Sequence, residues 1–112
     1  MIRKEIVLPA GRDEVWDALT DAERLEDWFA NDVELDLRPG GGASFRWANG
    51  EERHAVVTEV DPERRLAFDW DDDGTVEFTL DDAADGTRLV VIESSPAWST
   101  ALELQASALA RV

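Results

Sequence analysis

The sequence predicts one α+β domain in which a curved antiparallel sheet wraps a long C-terminal helix, with two short helices directly after the first strand. Three observations carry this. Residues 94–112 are the only stretch free of turn residues for long enough to make four helical turns. Most of the chain before it breaks into short alternating apolar/polar pieces separated by Gly, Pro, Asn and Asp. The length of 112 residues suits a single domain, 1–112, with one core.

Taken in order, residues 2–8 are apolar enough for a first strand, which Pro9 ends. Gly11 stands where a helix N-cap belongs, and Asp13 and Glu14 put negative charge in the first turn, where the helix dipole favours it. Val15, Trp16 and Leu19 give that helix one buried face. Thr20-Asp21-Ala22-Glu23 reads as a capping box that starts a second short helix carrying Leu25, Trp28 and Phe29. Val33, Leu35 and Leu37 then alternate with charged residues as a half-buried strand, and Pro39-Gly40-Gly41-Gly42 turns the chain into Ala43, Phe45 and Trp47. Asn49-Gly50 signals a two-residue type I′ hairpin. Residues 51–60 alternate less cleanly, which predicts a bulge near 55–57. Asp61-Pro62-Glu63-Arg64 leads into Leu66, Phe68 and Trp70. Asp71-Asp72-Asp73-Gly74 leads into Val76, Phe78 and Leu80, and 81–86 turns into Leu89, Val91 and Glu93. Consecutive hairpins imply an antiparallel meander of six to seven strands. Ser95 then caps the final helix with Pro96 at its first position. Trp98, Leu102, Gln105 and Leu109 share one face of it.

Acidic residues number 26 against 11 basic, a net charge of −15. Such a field repels phosphate backbones and anionic lipid, so no nucleic-acid or membrane partner is expected. There is no cysteine, which removes disulfides and thiolate chemistry, and a single histidine removes ordinary zinc sites. The aspartate runs lack the spacing of a calcium loop and read as solvated turns, so no metal and no cofactor are expected. No apolar run is long enough to span a membrane and the first residues lack a signal-peptide core, so a cytoplasmic location is the expectation.

Several motifs resemble a known family. Leu8-Pro9-Ala10, Glu14-Val15-Trp16-Asp17-Ala18-Leu19-Thr20-Asp21, Arg24-Leu25 and Trp28-Phe29 look like the opening of the START-like (Bet v-like) helix-grip superfamily. The branch they resemble is named after the activator of the heat-shock protein 90 ATPase. Leu37-Arg38-Pro39-Gly40-Gly41, residues 60–66 with Trp70, Gly86-Thr87-Arg88-Leu89, and Trp98 with Leu102 extend the likeness through nearly the whole chain. The resemblance implies a β-α-α-β6-α order and a cavity between sheet and terminal helix that often takes apolar small molecules. Members include ligand carriers, cyclase-type enzymes, hydrolases and a chaperone co-activator, so fold alone does not fix function.

A pocket in such a fold needs an apolar lining with a few inward polar groups. Strand parity and the helix face give Trp28, Phe29, Trp47, Phe68, Trp70, Phe78, Trp98, Leu102 and Gln105 as candidate ligand contacts. The same aromatics are also what an ordinary core requires. Two further polar residues share parity with apolar neighbours. His54 goes with Val56 and Val60, and is either structural and partly exposed or a titrating group in a wet cavity. Glu93 goes with Leu89 and Val91, and is either a strand-end carboxylate reaching solvent or a desolvated general acid or base. The favoured function is non-catalytic binding of a hydrophobic, aromatic or lipid-like small molecule. One alternative is a cyclase or hydrolase using His54 and Glu93, which requires both to converge on one cavity. The other is a module that touches a chaperone or regulator protein through its surface.

Overall fold

The structure, a computed structural model, describes residues 2–71 and 74–94. The predicted helix over 95–112, with its candidate contacts Trp98, Leu102 and Gln105, lies outside the described residues. Within them the order is β1 (Ile2–Leu8), α1 (Arg12–Thr20), α2 (Ala22–Trp28), β2 (Asp32–Leu35), β3 (Gly42–Arg46), β4 (Glu52–Asp61), β5 (Arg65–Trp70), β6 (Thr75–Ala83) and β7 (Gly86–Glu93). The seven strands form one antiparallel sheet in the order β1-β7-β6-β5-β4-β3-β2, so the first strand closes onto the last described one. The meander and the two early helices are as the sequence predicts.

The core follows from strand period. Leu66, Phe68 and Trp70 on β5, Val76, Phe78 and Leu80 on β6, and Leu89 and Val91 on β7 are all buried on one face. Val15 and Leu19 of α1 and Leu25 of α2 join the same cluster. Side chains of this size each stabilise the fold by roughly 1.5–3 kcal/mol when buried. Two polar links set the helices against the sheet. The Thr87 hydroxyl donates to the Ala10 carbonyl at 2.7 Å, in a buried position, and Arg12 Nε donates to Asp82 at 2.9 Å. On the other side, the Glu26 carboxylate accepts from the Val33 N–H at 2.9 Å, which ties α2 to the edge strand β2.

Several local expectations are corrected. Thr20 does not cap α2; it ends α1 and donates to the Trp16 carbonyl, while Asp21 is the cap and accepts from the Glu23 N–H at 2.9 Å. Leu37 is outside the strand, because Arg38 N–H donates to the Asp36 carbonyl two residues back and the chain turns tightly through Leu37. The hairpin at Asn49-Gly50 is not type I′. Gly50 alone has positive φ, at 90°, and its N–H donates to the Trp47 carbonyl while Trp47 N–H donates to Glu51. The loop is therefore three residues, a turn closed by a left-handed glycine. The bulge lies one step beyond 55–57, between Val57, which pairs with Phe68, and Glu59, which pairs with Ala67. Finally, 81–86 is mostly strand: Asp81 pairs with Arg88 and Asp82 with Thr87, leaving only Ala84 and Asp85 to turn. Asp81 stands opposite Arg88 across the ladder and Asp82 pairs with Arg12, both favourable to strand.

Candidate functional site

The inner face of the sheet carries a connected set of aromatic rings at the end where α2 hands over to β2. Phe29, the residue that caps α2, lies 5.7 Å from Trp28, 5.3 Å from Phe45 and 5.4 Å from Trp47, centroid to centroid. Phe45 continues the chain to Trp70 at 5.6 Å, edge on. Phe68 and Phe78 form a second, edge-to-face pair at 6.3 Å in the middle strands. Such offset geometries align the positive edge of one ring with the negative face of the next. Of the predicted ligand contacts that are described, the structure therefore brings Trp28, Phe29, Trp47 and Trp70 together through Phe45. Phe68 and Phe78 are buried on the same face, on the middle strands β5 and β6.

The indole donors separate these tryptophans by role. Trp28 Nε1 donates to the Ala18 carbonyl at 3.0 Å and so clamps α2 to α1. Trp47 Nε1 donates to the Phe29 carbonyl at 2.7 Å, holding β3 to the end of α2. Trp70, only 4% exposed, has no hydrogen-bond partner for its Nε1. The guanidinium of Arg53 lies 4.0 Å from the centre of the Trp70 ring, an attraction between cation and π face. Arg53 is the residue sequence reading missed; it shares β4 parity with the buried Ala55 and Val57, which was the available signal.

His54 and Glu93 do not converge. The bulge after Val57 reverses parity along β4, so Val60 points inward while His54 and Val56 point outward. The His54 side chain is 51% exposed and pairs with Glu52 at 2.9 Å. It lines an open groove of about 480 Å³ over β2, β3 and β4, whose other side chains include Glu26, Glu34, Ser44 and Arg46. Glu93 lies on the opposite face, fully buried beside Val91 at the end of β7, and does not reach solvent. A shared acid–base site for the pair is thus not formed. Among the described residues, no group of three or more metal-ligating side chains gathers, and no helix is long and apolar enough to cross a membrane.

An antiparallel meander following a strand and two helices, with its aromatic face turned inward and the first strand paired to the last described one, is the START-like helix-grip arrangement. The chain belongs to the family described as Activator of Hsp90 ATPase homolog 1-like protein, whose profile matches residues 9–109. Among solved structures it is similar to DynU16, a protein in the dynemicin biosynthetic locus, at 30% identity and a TM-score of 0.79; the match covers 98% of this chain but only 45% of that one. CalU16 from Micromonospora echinospora is 29% identical, with a TM-score of 0.72 over 96% of this chain and 73% of its own. Protein CV1439 from Chromobacterium violaceum, 23% identical, shares the fold at a TM-score of 0.79 over 98% and 94%. No curated protein matches the chain.

Proposed function

We propose that this protein binds an apolar or aromatic small molecule against the inner face of its sheet, and does so without transforming it. The observation that carries the reading is the connected run of rings Phe29–Trp47–Phe45–Trp70 on the inward side, with a cationic side chain at its end. Flat, rigid rings present large contact area at low conformational cost, which suits a planar or lipid-like ligand. Phe68 and Phe78 extend the same face, and Trp98, Leu102 and Gln105 complete the set on sequence grounds. The likeness to a protein in the locus for dynemicin biosynthesis supports a small-molecule context. A net charge of −15 argues for a neutral or cationic ligand over a strongly anionic one.

A neutral fluorescent probe, N-phenyl-1-naphthylamine, tests this. Saturable fluorescence enhancement at one site per chain, displaced by a flavonoid or a fatty acid, is the expected result. Absence of saturable binding by any of these compounds defeats the reading.

The family description favours a second reading, contact with a chaperone ATPase. Of the exposed large hydrophobics among the described residues, Val7 on β1 is separated by three strands from Val56 on β4, and Leu37 lies in the loop after β2. Stimulation of a chaperone ATPase by the protein, with no probe binding, would favour this reading over the first.

A further inference from the structure

We propose that Trp70 supplies the hydrogen-bond donor for the bound molecule, so that the ligand is an apolar or aromatic compound carrying an exposed oxygen acceptor, a carbonyl or ether, and not a plain hydrocarbon. The proposal rests on the binding reading above and adds the chemical group that the site selects.

Among the described residues, Trp70 Nε1 is the buried side-chain polar atom without a partner. The contrast with its neighbours is the argument. Trp28 and Trp47 each engage a backbone carbonyl, at 3.0 and 2.7 Å, so their N–H groups are structural. A buried donor left unpaired is unfavourable, and such groups persist where a partner arrives later or the site has work to do. Position supports a ligand as that partner. Trp70 is the last residue of β5, at the end of the aromatic run, and faces the small Ala55 across the ladder. The Arg53 guanidinium 4.0 Å from the ring centre draws electron density from the indole, which makes its N–H a stronger donor.

A matched pair of probes isolates the oxygen: 9-fluorenone, with one carbonyl, and fluorene, with none. The wild-type protein is expected to bind fluorenone about tenfold more tightly. Trp70→Phe, which keeps an aromatic side chain and removes the N–H, is expected to erase that preference, whatever it does to the affinity for both probes together. In the wild type, the Trp70 indole proton resonance should move downfield with fluorenone and not with fluorene, a readout that stands even if the variant fails to fold. Equal wild-type affinities with an unmoved indole resonance overturn the proposal and leave the binding reading intact. A preference that survives in Trp70→Phe also overturns it. If neither probe binds the folded protein, the binding reading falls and the proposal falls with it.

Discussion

Three tryptophans on one face differ in what their N–H groups touch, and that difference predicts how each tolerates loss of the nitrogen. Trp28→Phe removes the hydrogen bond from the α2 indole to the Ala18 carbonyl in a buried site, so urea unfolding should show a loss of about 1–3 kcal/mol. Trp47 is half-buried, and Trp47→Phe should lose about 1 kcal/mol by the same measurement. Trp70→Phe breaks no hydrogen bond and should be the mildest of the three. The sequence marks all three as inward-facing aromatics, since each falls on an apolar period. It cannot say which donors are engaged, because the carbonyls that accept from Trp28 and Trp47 are 10 and 18 residues away and are brought close only by the fold.

At the scale of the element, the bulge in β4 decides which residues face the inner side of the sheet. Straight alternation from Val60 back to His54 puts both on one face; the extra residue at Thr58 puts them on opposite faces. An irregularity was legible from the uneven pattern of the strand, its exact place was not, and the exposed side chain of His54 fits the structural, partly exposed alternative. His54→Ala should accordingly change stability by less than about 0.5 kcal/mol and leave probe affinity unaltered. Turns give a sharper contrast. A methyl group on Gly86, whose φ is 148°, would meet the Leu8 carbonyl oxygen at 1.9 Å, whereas Gly50, at φ 90°, has open space around it. Gly50→Ala should cost about 1 kcal/mol, and Gly86→Ala more than about 3 kcal/mol, because it also pries β1 from β7. Both effects are read from denaturation midpoints. Arg65 joins three strands through Glu59 at 2.8 Å and Glu77 at 2.6 Å. The hydrogen bond with Glu59 raises the guanidinium pKa above its ordinary value. That stabilisation is fully present below the ordinary value and is lost only as strong base carries the pH through the raised one.

For the molecule as a whole, the dominant long-range term is self-repulsion from a net charge of −15. Salt screens it, so raising the ionic strength from about 0.01 M to about 0.5 M should increase stability by about 1 kcal/mol, or ~4–8 °C in Tm, as scanning calorimetry would show. The architecture was legible because nearly every strand ends at a residue with a physical reason to turn, and because the inward positions of β5, β6 and β7 keep strict period. What the alternation left open was the chemistry of the inner face. Alternation left Glu93 either at a solvent-reaching strand end or desolvated; it shares the inward face of β7 with Leu89 and Val91 and is fully buried. The claim on which the functional account stands is that small molecules are held on this inner face. Backbone amide shifts of the isotope-labelled protein, followed as N-phenyl-1-naphthylamine is added, address it directly. Saturable movement centred on Phe29, Phe45 and Trp70, with His54 and Val56 unmoved, is the predicted result; shifts confined to Glu34, Ser44 and His54 on the outer face would contradict it.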